Sequence, residues 1–300
     1  MTMPPMAPAR LPAAGPAVSA SGLLAGTYRR LAALCAALNV RAVAPDPTPG
    51  EVTAGSQGWL RGTELAEDPE ALDAFVDAEV ARILRDQHGH TARRDVAASR
   101  ALHAYVWSVS LLMSGTWYLE RRVPRIRPQD LRLAPEPGTF EVVPGSGFAC
   151  LPDDPAATRV PGARVLGDEE ALRAELRASV ADHVRPLLTA IGPHARRGRR
   201  ALWGMVADDL ISGIWYLGRM LGQEERAVRA ATELLPSGIP PFPGGAAFRR
   251  LEGRGGEQHP TRTRLGCCLY YTIRPAEACI TCPRTCDAER LSRLEPAPPA

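Results

Sequence analysis

The sequence contains no lysine. All 36 of its basic residues are arginine, set against 33 acidic residues in a chain of 300, for a formal net charge of +3. That balance leaves no basic excess of the kind that carries nucleic-acid binding, and no nucleic-acid partner is expected. The missing lysine goes with a high Ala, Pro and Gly content and reads as a codon bias. It still has a physical consequence: arginine stays charged and forks onto carboxylates and other oxyanions. No apolar run reaches the ~18 residues a transmembrane helix needs. The longest, Ala101 to Met113, is interrupted by His103, Ser108 and Ser110. Residues Met1 to Ala20 are Pro- and Ala-rich with the single charge Arg10, and lack the basic start and apolar centre of a signal peptide. They read as a disordered tail on a cytoplasmic protein, where thiols stay reduced. There is no nucleophile triad, no P-loop and no G-x-G-x-x-G after a strand, so neither an NAD nor a flavin site is expected.

What is present is a globular chain. Hydrophobic residues make up 45% and charged residues 23%, and the length corresponds to one or two domains at about 150 residues each. Apolar spacing predicts a helix over Leu23–Leu38. A second helix starts at Asp68 as a cap with Pro69 in its first turn, and its stripe is Leu72, Phe75, Val76, Val80, Ile83 and Leu84. Further helices are expected over Ser99–Arg122, Asp168–Ala190 (bent at Pro186), Arg199–Leu221 and Gln223–Leu235. Prolines recur from Pro124 to Pro161, where Thr139–Val143 and Phe148–Leu151 flank Pro144-Gly145-Ser146-Gly147 and predict a short β-hairpin. Ser237–Gly256 reads as a Pro/Gly-rich connector.

An internal repeat organises the helices. Asp68–Ala81 and Asp168–Ala181 agree at eight of fourteen positions, and Arg100-Ala101-Leu102 matches Arg200-Ala201-Leu202 at the same offset. Ser114-Gly115-Thr116-Trp117-Tyr118-Leu119 then matches Ser212-Gly213-Ile214-Trp215-Tyr216-Leu217. With aromatics at only 5% of the chain, that last match is the strongest. The expectation is a mainly α fold of two related helical halves, about 22–123 and 150–236, in a helical domain over 21–256. Trp117 and Trp215 should occupy equivalent buried sites, with each glycine permitting close helix approach. Residues 257–294 form a separate C-terminal cysteine segment, with disordered tails over 1–20 and 295–300.

Of the seven cysteines, Cys35 and Cys150 are isolated and five fall between Cys267 and Cys286. Clustered thiols in a reducing compartment point to a metal site before a disulfide framework. Cys267, Cys268, Cys279 and Cys282 form C-C-x10-C-x2-C, with Cys279 and Cys282 at the spacing of a metal knuckle. Four thiolates suit zinc or a [2Fe–2S] cluster alike, and spacing leaves the two open. Adjacent Cys267 and Cys268 require a backbone turn if both serve one centre; a disulfide between them would need a strained ring. Cys286 reads as inert, a spare thiol or a substitute ligand. The histidines, including the His88/His90 pair and His183, read as surface residues. Arg196-Arg197-Gly198-Arg199-Arg200 reads as a solvated turn. Arg249, Arg250, Arg254, Arg262 and Arg264 precede the cysteines and are candidates for docking an anionic chelate or an acidic donor protein.

The run Gly266-Cys267-Cys268-Leu269-Tyr270-Tyr271, followed by Cys279-x2-Cys282-Pro283, resembles the C-terminal signature of the FhuF-like ferric-siderophore reductases. The motif covers about twenty residues; the helical region resembles the family in character only. The resemblance implies a [2Fe–2S] cluster held by Cys267, Cys268, Cys279 and Cys282. It also implies a cytoplasmic reductase that passes one electron to siderophore-bound Fe(III) and releases Fe(II), supplied by an external ferredoxin or flavin reductase. Two other readings stay open beside it, an iron–sulfur electron carrier without reductase activity and a zinc-stabilised binding module.

Overall fold

The computed structural model describes residues 19–44, 58–86, 93–134, 139–274 and 278–295. Of the tails expected over 1–20 and 295–300, residues 1–18 and 296–300 lie outside the described residues, as does the His88/His90 pair, while Ser19 and Ala20 begin the first helix. The protein is mostly helical: α1 Ala20–Leu34, α2 Glu64–Glu67, α3 Pro69–Asp86, α4 Arg94–Glu120, α5 Glu169–Ala195, α6 Arg199–Met220, α7 Glu224–Leu234 and α8 Asp287–Leu294. Side-chain caps start three of them. Ser19 accepts from the Gly22 N–H at 3.1 Å, Asp68 from the Glu70 N–H at 2.9 Å and Asp168 from the Ala171 N–H at 2.8 Å. α4 is buried on nearly every side from Val96 to Tyr118 and packs against α1, α3, α5 and α6. A helix apolar all round belongs at the centre of a bundle. α5 continues past its expected end at Ala190 and past both Pro186 and Pro193, because Leu187, Leu188, Ile191 and Ala195 are buried against the bundle.

The sequence motif repeated on α4 and α6 marks where these helices meet. A Cβ on Gly213 would lie 3.5 Å from Leu111, and one on Gly115 would lie 2.7 Å from Leu31 and 3.5 Å from Leu217. Trp117 and Trp215 are both 6% exposed. Their surroundings differ: Gly115 lies under α1 as well as α6, and Trp215 donates to Glu224 at 2.7 Å.

The small sheets correct the hairpin expected at Pro144–Gly147. Both strands form, as β5 Thr139–Val142 and β6 Phe148–Cys150, but they do not pair with each other. β5 lies between β1 Asn39–Ala42, which runs parallel to it, and the antiparallel β4 Leu131–Leu133; β2 Leu60–Arg61 extends that sheet. β6 lies between β3 Val123–Pro124 and β7 Ala163–Val165. The intervening turn packs backbone against backbone at Gly162. A Cβ on Gly147 would come within 2.6 Å of the Gly162 carbonyl oxygen, and Gly162 itself has φ of 88°. An unexpected hairpin joins β8 Phe248–Glu252 to β9 Gln258–Arg262 and begins inside the expected connector.

His183 on α5 is a second correction. It is 2% exposed, with Nδ1 2.8 Å from the Ile126 carbonyl oxygen and Nε2 2.8 Å from the Tyr105 hydroxyl. Burial lowers its pKa from 6.5 to about 4, against the opposing pull of the Ile126 carbonyl and Asp130. The unfolded chain binds this proton below about 6.5 and the folded chain only below about 4, so stability falls as pH drops through that window. Full titration costs about 3 kcal/mol. The expected result is a thermal unfolding curve whose midpoint falls between pH 6.5 and pH 4, and falls less in His183→Gln. Equal slopes for the two proteins would contradict this.

Candidate metal centre

α6 carries two adjacent carboxylates, Asp208 and Asp209, at 0% exposure. Neither could stay there as an ion without partners. The C-terminal segment supplies them. Arg262, at the end of β9, sets Nη2 2.5 Å from Asp208 Oδ1 and donates from Nε to the Ala246 carbonyl at 2.9 Å. Arg264 reaches Asp209 Oδ1 at 2.6 Å, and the Gly266 N–H donates to Asp208 Oδ2 at 2.6 Å. His103 of α4 lies 2.7 Å from Asp209 Oδ1. Burial pushes the Asp208 carboxyl up and the Arg262 guanidinium down, each opposed by the other's charge. Burial also lowers the pKa of His103, against the pull of Asp209. Arg290 of α8, 1% exposed, closes the far side by donating to Thr263 Oγ1 at 2.9 Å and to the Cys282 carbonyl at 2.9 Å.

These anchors hold the cysteine segment against α4 and α6. Gly266 sits so close to α6 that a Cβ would meet Met205 Cγ at 2.8 Å and its backbone N at 3.0 Å. The chain then turns through Leu269, at φ 63°, into a 3₁₀ turn at Tyr270–Thr272. This turn follows the two adjacent cysteines rather than separating them. The Cys267 sulfur accepts from the Leu269 N–H at 3.3 Å. Cys268, 6% exposed, has Arg100 Nη1 of α4 3.6 Å from its sulfur. The Cys282 N–H donates to the Cys279 carbonyl at 2.9 Å, the turn of a knuckle, and Thr281 Oγ1 lies 3.9 Å from the Cys279 sulfur.

The four thiols interact with one another: Cys267 with Cys282 and Cys268, and Cys279 with Cys268 and Cys282. Among the described residues no three Cys, His, Asp or Glu side chains stand at metal-ligand separation. The donor set nevertheless fits a group that binds thiolates. It offers four sulfurs, backbone and hydroxyl donors, and the positive charge of Arg100 and Arg264. Burial pushes the Cys267 thiol up to about 11, with Cys282 and Cys268 adding to the rise. Burial also raises Cys279, against Arg264. Such thiols ionise when a bound metal takes up the charge.

The remaining sequence candidates separate clearly. Cys35 and Cys150 are buried in the helical core, and Cys286 is exposed at the start of α8. Arg249, Arg250 and Arg254 are exposed, each facing a carboxylate: Asp287 at 2.5 Å, Glu225 at 2.6 Å and Glu295 at 3.0 Å. Arg262 and Arg264 are not surface residues. At 0% and 7% exposure, and paired with Asp208 and Asp209, they anchor the segment and cannot dock a partner. His103 likewise is a network residue rather than a surface one. Asp208, Asp209, Arg100 and Arg290 escaped the sequence reading. Their one signal was an acidic pair inside the apolar run of α6, which demands buried partners.

Residues 264–284 match the family model described as the FhuF 2Fe-2S C-terminal domain. The match includes Cys267, Cys268, Cys279 and Cys282 and ends before Cys286. It agrees with the resemblance read from the motif, and it makes the cofactor a [2Fe–2S] cluster, where spacing alone left zinc open. A search of curated proteins finds no match to the chain.

Proposed function

We propose, for a chain whose segment 264–284 matches the FhuF 2Fe-2S C-terminal domain, that it is a ferric-siderophore reductase of the cytoplasm. Cys267, Cys268, Cys279 and Cys282 hold the cluster. When bound, the cluster supplies one electron at a time and is refilled by an external donor, a ferredoxin or a flavin reductase. The substrate is Fe(III) in a hard-oxygen chelate; gaining one electron makes it Fe(II), which such a chelate holds far less tightly. No bond to carbon forms or breaks and the transfer itself needs no general acid or base. The observation that carries this reading is the family match over the four cysteines.

The chain's own residues fit that task. Arg100 and Arg264 bring positive charge to the sulfurs and Leu269 brings an N–H donor. Asp208, Asp209, Arg262 and Arg290 fix the segment to α6, so the cysteines are held by a rigid bundle. Cys279 is exposed, which supports access to the segment from solution. No helix among the described residues is long and apolar enough to cross a membrane.

The test is anaerobic steady-state reduction. A reduced ferredoxin supplies electrons, an Fe(II) trap reports product, and a panel of ferric siderophores serves as substrate. The expected result is Fe(II) release at least tenfold faster with holoprotein than without it, and different among siderophores. If the protein passes electrons to a redox dye yet leaves every siderophore at the protein-free rate, it is a carrier and the proposal is wrong.

A further inference from the structure

A cavity of about 780 Å³ opens where α5 ends and α6 begins, well within the roughly 300–1,000 Å³ of small-molecule sites. Its wall carries Arg185, Arg196, Arg197 and Arg199, over a floor that includes Leu202 and Trp203. Among the described residues no carboxylate lines it. Arg185, Arg196 and Arg199 are exposed and, among the described residues, none of the three makes an ion pair. This contrasts with Arg249, Arg250 and Arg254, each of which already faces a carboxylate. Arg185 is held over the Trp203 ring at 5.5 Å, and Arg196 is fixed in the left-handed region at φ 51° by the end of α5. Four arginines thus line one concave space that no carboxylate lines, and Asp95, whose charge interacts with Arg196, is already paired with Arg93.

One lining residue links the cavity to the cysteine segment. Arg197 lines it and donates from Nη2 to the Cys267 carbonyl at 2.6 Å and from Nε to Ser99 Oγ at 3.2 Å. One side chain thus belongs both to the cavity wall and to the support of the first cysteine.

We infer that this cavity is the docking site of an anionic ferric chelate, held by Arg185, Arg196 and Arg199 beside the cluster. The inference rests on the reductase reading and names the substrate class it takes. Guanidinium forks match the anionic oxygens that a hard-oxygen chelate presents at its surface. A neutral chelate would displace water from three charges and return nothing to them, so the site discriminates by charge as well as by size. An acidic donor protein is a different occupant and enters as an outcome of the test.

The experiment uses holoprotein and two probe pairs: the iron(III) and gallium(III) complexes of a trianionic tris-catecholate, and of a neutral tris-hydroxamate. Gallium(III) takes the same ligands but is not reduced, so its titration reads docking alone. The expected result is binding of the gallium tris-catecholate at least tenfold tighter than the neutral complex. In Arg185→Gln/Arg196→Gln/Arg199→Gln that binding and the rate of iron(III) tris-catecholate reduction should fall at least tenfold, with an unchanged visible spectrum. The salt dependence of the rate should flatten, since exposed charges are screened over about 8 Å at physiological ionic strength. Thr189→Glu, a single exposed change at the cavity wall, should act in the same direction, and carries the test if the triple variant fails to fold. Arg249→Gln/Arg250→Gln should leave binding and rate at wild-type values. Wild-type gallium binding in the triple variant, a preference for the neutral complex, or loss of reduction by ferredoxin alone overturns the docking site and leaves the reductase reading standing. Charge-dependent gallium binding with no Fe(II) formed does the reverse.

Discussion

Cys279→Ala and Cys282→Ala should each abolish the visible absorption of the purified protein, while Cys35→Ala, Cys150→Ala and Cys286→Ala should retain it. The expectation follows from the knuckle. The Cys282 N–H turns back onto the Cys279 carbonyl, and Thr285 Oγ1 donates to the same carbonyl at 3.2 Å, so both thiols are presented by one tight turn. Removing either leaves three sulfurs for a group that takes four. The effect should reach beyond colour. A segment of about twenty residues buries little core of its own, and the binding energy of its metal is also its folding energy. Proteolysis should therefore cut between Cys267 and Cys282 in the variants under conditions that spare the holoprotein. Iron and sulfide content, the absorption spectrum and limited proteolysis together check this. A Cys279→Ala protein with a wild-type spectrum would show that the ligand set is wrong, and Cys286 would be the first substitute to remove.

Asp208→Asn should be the most damaging change outside the cysteines. It leaves the Arg262 charge at 0% exposure without its counter-ion and replaces the carboxylate that accepts the Gly266 N–H. Breaking a buried pair from one side costs about 3–5 kcal/mol, a large part of the roughly 5–15 kcal/mol of a folded domain. Purified Asp208→Asn should unfold about 5–8 °C below wild type and lose cluster during purification. Arg249→Gln breaks an exposed pair with Asp287 and should cost less than about 1 kcal/mol. Calorimetry of the two variants side by side decides the matter. An Asp208→Asn midpoint within a degree or two of wild type would show that the carboxylates of α6 do not anchor the segment.

The parts of this protein that its sequence reveals are those whose cause is local. Helical periodicity marks α3 through α7 to within a few residues, because an apolar stripe and its caps lie within one stretch of chain. The cysteine motif is legible because four identical side chains at fixed spacing have few other uses. What fails is long-range. β5 pairs with β4 just before it and with β1, a hundred residues away with Asn39 opposite Thr139, and not with β6, and a turn with every local sign of a hairpin is spent packing on Gly162. The hairpin of β8 and β9 runs through Phe248–Glu252 and Gln258–Arg262, rich in Arg and poor in the β-branched residues that advertise a strand. Charge misleads in the same way. Arg262 and Arg264 look like surface residues until Asp208 and Asp209 are seen beneath them. The turn Arg196–Arg200 is solvated as expected, only Arg197 being half-buried, but its sequence does not show that three of its arginines line a cavity between α5 and α6.

The most direct test of the reductase itself is a single turnover. Dithionite-reduced holoprotein, freed of excess reductant, is mixed anaerobically with a ferric siderophore and an Fe(II) trap, and absorption is followed at the cluster and at the trap. The account predicts that the cluster reoxidises in step with Fe(II) appearance, one Fe(II) per cluster, and faster with a siderophore than with ferric citrate. A cluster that stays reduced in the presence of ferric siderophores, or that reoxidises without releasing Fe(II), would contradict it.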